Sequence, residues 1–141
     1  MNSHNKHVLI VDDEPDIRDL LDMTVSSMGL KTTTAGSVGE AHTALEGGRF
    51  DFCLTDMRLP DGDGLDLVRH IEAQFASLPV AVITAHGSIE AAVTALKHGA
   101  FDFLSKPLDL NNLRSIIATA LELHDAPDET ASSLIGDSEA M

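Results

Sequence analysis

The chain contains no tryptophan, no tyrosine and only one cysteine among its 141 residues. With five phenylalanines as its only large aromatics, its interior has to be built from Leu, Ile, Val, Ala and Met. Cys53 has no partner for an internal disulfide, and its place within the apolar stretch 50–55 suggests a buried, inert thiol. No stretch approaches the roughly 18 continuous apolar residues of a membrane span. The N-terminus carries no signal-peptide pattern, so a cytoplasmic location is expected. Basic residues are scarce as well: nine Lys and Arg stand against 23 Asp and Glu, for a formal charge of −14. That balance opposes binding of this segment to nucleic acid or an anionic membrane. Asp125, Asp128, Glu129, Asp137 and Glu139 follow residue 124 with no Lys or Arg beside them, which makes part of the imbalance a solvated tail. A Gly-x-x-x-x-Gly-Lys-Ser/Thr phosphate loop and a helix-turn-helix are also missing, so neither ATP hydrolysis nor DNA binding is expected of these residues.

What is present is a regular alternation. Strand-like runs at His7–Val11, Lys31–Ala35, 50–55, Val80–Thr84 and 101–104 are separated by segments of helical period. The first, third and fourth runs are apolar at consecutive positions, as parallel strands covered on both faces require. The second, rich in threonine, reads as an edge strand. The helical stripes are Ile17-Leu20-Leu21-Val25-Met28, Val38-Ala41-Leu45, Leu65-Val68-Ile71-Phe75, Ile89-Ala92-Val93-Leu96 and Leu110-Leu113-Ile117-Leu121. Ser37, Ser88 and Asp109 are candidate N-caps, and Gly29, Gly47-Gly48 and Gly99 candidate stops. Five such units with right-handed crossovers give an α/β fold with a doubly wound parallel sheet. The periodicity ends after residue 123, and 124–133 reads as a polar linker.

Ligands of doubly wound sheets bind at the carboxyl ends of the strands. That is where the chemistry-bearing residues fall: Asp12 and Asp13 after the first strand, Asp56 after the third, Thr84 at the end of the fourth, Lys106 after the fifth. Asp12-Asp13-Glu14-Pro15 alone would serve equally as a helix cap and turn. Three converging carboxylates, however, repel unless a cation neutralises them, and hard oxygen ligands with room for water suit Mg²⁺. Asp56 opens into a loop rich in Pro and Gly, 57–64, where its carboxylate could attack a phosphorus centre. Lys106 could then donate to a phosphoryl oxygen and Thr84 offers a hydroxyl. Lys106-Pro107 is a candidate cis peptide, which would aim the lysine back over the sheet. The seven histidines show no metal-ligand spacing, and His4, His7, His42, His70, His98 and His124 are read as surface residues.

Ile10-Val11-Asp12-Asp13-Glu14, Leu54-Thr55-Asp56-Met57-Arg58-Leu59-Pro60-Asp61-Gly62-Asp63-Gly64, Thr84-Ala85 and Lys106-Pro107 resemble the receiver domain of bacterial two-component response regulators. The resemblance covers residues 6–123. It implies a flavodoxin/CheY-like (βα)5 fold with strand order 2-1-3-4-5, counting the five runs in chain order. It also implies that Asp56 accepts phosphate from a sensor histidine kinase. Asp13, Asp56 and the backbone carbonyl of Arg58 would bind Mg²⁺, with Asp12 assisting through water, while Thr84 and Lys106 contact the phosphoryl group. Thr84 and Phe103 would form a switch, although Phe103 could also be an ordinary core aromatic. Many relatives carry Tyr there; Phe makes no hydroxyl contact and would have to signal by packing. Arg58 and His86, two residues past Asp56 and Thr84, are candidates for tuning acyl-phosphate lifetime.

Residues 84–93 and 97–107 look more narrowly like receivers of the NtrC class of sigma-54-dependent activators. Residues 134–141 resemble the opening of the AAA+ ATPase domain that follows in that class. The expected organisation is therefore a receiver at 1–123, a linker at 124–133 and the start of an ATPase domain at 134–141. The resemblance further implies a homodimer, with an output face made by the fourth helix, fifth strand and last helix. Two alternatives compete: an aspartate-nucleophile phosphatase, and a degenerate receiver that only binds. Arg58 stands where such phosphatases place a second acid, and the intact set Asp13, Asp56, Thr84 and Lys106 argues against degeneracy.

Overall fold

The computed structural model describes residues 6–85 and 88–125, the last three by backbone alone. The elements run β1 (His7–Val11), α1 (Pro15–Ser26), β2 (Lys31–Ala35), α2 (Val38–Gly47), β3 (Phe52–Asp56), β4 (Arg58–Leu59), β5 (Gly62–Asp63), α3 (Gly64–Gln74), β6 (Val80–Thr84), α4 (Ile89–Lys97), β7 (Asp102–Ser105) and α5 (Leu110–Asp125). Five strands form one parallel sheet in the order β2-β1-β3-β6-β7, with β4 and β5 as a separate antiparallel ribbon. Numbered by the five main strands alone, this is the expected 2-1-3-4-5. β2 and β7 are the edge strands, and β1, β3 and β6 occupy the interior.

Consecutive side chains of a strand point to opposite faces, and the two faces have separate cores. Val8 and Ile10 meet Leu21, Val25, Leu113 and Ile117 of α1 and α5, while Leu9 and Val11 meet residues of α2 and α3 such as Ala41, Leu45, Leu67 and Val68. Cys53 is fully buried in the second core, and burial pushes its thiol well above the ordinary range. No helix of the described residues is long and apolar enough to cross a membrane.

Several local expectations need correcting. The third strand begins at Phe52 rather than 50 and includes Asp56, and the fifth runs Asp102–Ser105 rather than 101–104. The loop after Asp56 is not irregular: Arg58 pairs with Asp63 and Leu59 with Gly62. Ser37 and Asp109 accept backbone N–H bonds at their helix starts, but the Ser88 side chain makes no cap bond. On α4 the bulky stripe faces outward, with Ile89 64% and Val93 44% exposed, because the helix meets the sheet through Ala92 and Ala95. Leu20 of α1, at 37%, is likewise outside. Small alanines let α4 approach the sheet closely, which hydrophobicity alone does not reveal.

Three of the histidines are also more than surface groups. His7 contacts Thr33 Oγ1 through Nε2 at 2.7 Å and packs on Phe50. His42 and His70 meet across α2 and α3 with ring centroids 4.2 Å apart. Glycine stops are used twice in the left-handed form, at Gly29 (φ 82°) and Gly99 (φ 112°), where a side chain would be strained.

Candidate functional site

The parallel register ends the strands at a common edge, and the first three acids gather there. Asp12 N donates to Ala35 O, and Met57 N to Ile83 O, so the chain leaves β1 and β3 pinned to neighbouring strands. Asp12, Asp13 and Asp56 each offer a carboxylate oxygen, all within 4.8 Å of one another. Asp12 and Asp56 are buried and Asp13 is exposed, so the cluster opens to solvent on one side. One oxygen of Asp12 accepts from Glu14 N at 2.9 Å, while the other, Oδ2, is buried with no hydrogen-bond partner. Arg18 Nη1 donates to the Asp12 carbonyl at 2.9 Å and fixes the corner after β1.

Burial raises the Asp12 carboxyl to about 6; the Glu14 amide lowers it, and the Asp56 charge adds to the rise. A carboxyl raised by desolvation, with one buried oxygen free of partners, fits the donor chemistry of a cation ligand. An all-oxygen donor set, partly open to water, fits a hard divalent ion.

Lys106 supplies the opposing charge. Its backbone N donates to Thr84 O at 2.9 Å, and its peptide bond to Pro107 is cis. Its Nζ lies 3.3 Å from Asp56 Oδ2 and 3.3 Å from Glu14 Oε1. Burial lowers the ammonium's proton affinity, but Asp56, Glu14 and Asp12 together outweigh that and hold it above the ordinary lysine value. Thr84 is buried, and its hydroxyl donates to Leu104 O at 3.3 Å. Next to it opens a cavity of about 450 Å³ lined by Asp56, Met57, Arg58, Thr84, Ala85 and Ala91, among others. Phe103 is half-buried against the α2/α3 core. Arg58 is exposed. His86 lies outside the described residues, as do the linker and ATPase-opening residues from 126 onward.

Two contributors escaped the sequence reading. Glu14 shares Lys106 with Asp56. Asp63, in β5, caps α3 by accepting from Asp66 N at 3.0 Å. The second was visible as Asp-Gly before a helical stripe; the first depends on a contact 92 residues apart.

A doubly wound sheet of this order, with acids at the ends of β1 and β3 and a lysine beyond β7, defines the receiver class of signalling module. The chain belongs to the response regulator receiver domain family, whose model matches residues 8–118. It is thus a regulatory domain and not a catalytic enzyme. Among its relatives is the response regulator protein PilR of Pseudomonas aeruginosa, 54% identical over 94% of this chain and 31% of that protein. The DNA-binding transcriptional regulator NtrC of Klebsiella pneumoniae is 36% identical over 94% of this chain and 30% of its own length. The chain thus spans about a third of the length of these relatives. The solution structure of the beryllofluoride-activated NtrC4 receiver domain dimer is similar in fold, with a TM-score of 0.79 and 35% identity over 84% of this chain and 98% of that one.

Proposed function

We propose that Asp56 accepts a phosphoryl group from a sensor histidine kinase, and that this switches a sigma-54-dependent transcription activator. The observation that carries the proposal is the convergence of Asp12, Asp13 and Asp56 with the Lys106 ammonium at one edge of the sheet. An oxygen of Asp56 attacks phosphorus, and an acyl phosphate forms as the donor's phosphorus–nitrogen bond breaks and its imidazole leaves. Asp13, Asp56 and the Arg58 carbonyl would hold Mg²⁺, with Asp12 assisting through water. Bound there, Mg²⁺ offsets part of the added charge of about −2. Lys106, already beside Asp56, turns to a phosphoryl oxygen.

Thr84 links the site to the output face. Its hydroxyl is engaged with Leu104 O, next to Phe103 on β7. Turning to a phosphoryl oxygen, it releases that carbonyl, and Phe103 repacks inward without a hydroxyl to anchor it. This is a population shift between two packings, biased by local charge. The face so altered, α4, β7 and α5, exposes Ile89, Val93 and Leu96 for a second copy or for the ATPase domain. Arg58 and His86 tune how long the acyl phosphate survives. The stretches 53–62 and 100–103 look like those of the type IV pilus regulator PilR, and type IV pilus genes are our proposed target.

The test is intact mass after incubation with Mg²⁺ and phosphoramidate. A gain of one phosphoryl group in the wild type and none in Asp56→Ala is expected; no gain in either protein removes the proposal.

A further inference from the structure

The β4–β5 ribbon carries Arg58, yet only two residue pairs hold it together. A ribbon that short has little stability of its own. Its tip, however, is fastened to α2. Asp61 Oδ1 accepts from Val38 N at 2.8 Å, and Asp61 Oδ2 accepts from Gly39 N at 2.9 Å. These are among the amides that a helix start leaves without intrahelical partners. Ser37 Oγ takes the next one, Glu40 N, at 3.1 Å. Two close approaches accompany the bond: a methyl at Gly62 would come within 3.2 Å of Val38 Cγ2, and Leu59 is buried in the core that includes Ala41 and Leu45. At the ribbon's other end Gly64 N donates to Met57 O at 2.8 Å. The ribbon is therefore clamped at its base by Gly64 and at its tip by Asp61. Those two amides hold the Asp61 carboxyl below the ordinary range, so the clamp stays charged through the neutral region.

The geometry points to Asp61 as a positioning residue for the cation site: by bridging the first amides of α2 it fixes the Arg58 carbonyl where Mg²⁺ needs it. This rests on the receiver chemistry proposed above. Asp61 touches neither cation nor phosphate and acts only through the ribbon backbone. The consequence is a defect in Mg²⁺ affinity, not in the maximal rate of phosphorylation.

Calorimetric titration of Mg²⁺ into wild type, Asp61→Ala and Asp61→Asn tests it, with circular-dichroism melts of each and phosphoramidate labelling across a Mg²⁺ series. Asp61→Ala should bind Mg²⁺ about tenfold more weakly, at the low end of what loss of an outer-shell partner costs. It should reach the wild-type labelling rate once Mg²⁺ saturates. Asp61→Asn, which keeps one acceptor, should fall between. Unchanged Mg²⁺ affinity in both folded variants overturns the inference, as does a maximal rate that stays depressed at saturation. Should Asp61→Ala fail to fold, Asp61→Asn decides: weaker binding supports the clamp and wild-type binding overturns it. A wild type that binds Mg²⁺ but takes no phosphoryl group overturns the proposed function and leaves the clamp to the calorimetry. A wild type that binds no Mg²⁺ overturns both.

Discussion

Asp12 is fully buried, its carboxyl is raised to about 6, and one of its oxygens is bare. Because the folded value lies above the ordinary 3.8, the ionised group opposes folding. The opposition is complete above about 6 and disappears as pH falls towards 4, amounting to roughly 3 kcal/mol. Without divalent cations, the melting midpoint should therefore rise as pH drops through that window, less any loss from other groups. Asp12→Asn should flatten this part of the profile and raise the midpoint at pH 7 by several degrees. Added Mg²⁺ should stabilise the wild type strongly at pH 7 and progressively less below about 6, since protonation then removes the Asp12 charge that favours the cation. An Asp12→Asn protein that melts like the wild type at every pH would contradict this account of the corner. The residue identities were legible in the sequence because they close apolar runs at strand ends. What the spacing could not convey was the environment: that Asp12 is sealed from water and Asp13 is not, or that Glu14 competes for Lys106.

At the scale of elements, the segment after Asp56 departs most from what its residues suggested. Pro60, Gly62 and Gly64 read as loop formers, yet the chain makes a paired ribbon clamped at both ends. Gly64 is required there by contact: a methyl on it would collide with the Asp56 carbonyl oxygen. Gly64→Ala should cost about 1–3 kcal/mol as an overpacked site, seen as a lower denaturation midpoint. It should also slow phosphoramidate labelling, because the clash pushes on the backbone of the acceptor residue itself. Wild-type stability and labelling in this variant would mean the ribbon base is slack. The helices tell a complementary lesson. The stripes of α3 and α5 fall largely on the packed faces, through Val68 and Ile71 and through Leu113, Ile117 and Leu121, although the fully buried Leu67 was not among them. On α4 only Ala92 of the stripe is buried, packing with Ala95, while its bulky members Ile89, Val93 and Leu96 are exposed. Hydrophobic period locates a helix, but small residues can decide which side approaches the sheet.

For the molecule as a whole, the doubly wound parallel sheet followed from the alternation of runs, its strand order came from the resemblance to receivers, and the split into two cores came from the structure. The exposed apolar face of α4 did not follow, and it bears on assembly. Under the proposed function, sedimentation should show association increasing when beryllofluoride is added with Mg²⁺, and Val93→Glu should suppress the increase. A monomer in both conditions would remove the dimer proposal while leaving the phosphorylation chemistry intact. The central claim is narrower: that one carboxylate, Asp56, becomes an acyl phosphate. Borohydride reduces an aspartyl phosphate to homoserine, so peptide mass spectrometry after phosphoramidate and borohydride treatment reads the position directly. The account predicts homoserine at position 56 and at no other aspartate, dependent on Mg²⁺ and reduced in Lys106→Ala. Homoserine at Asp12 or Asp13, or none anywhere in a protein that binds Mg²⁺, would contradict it.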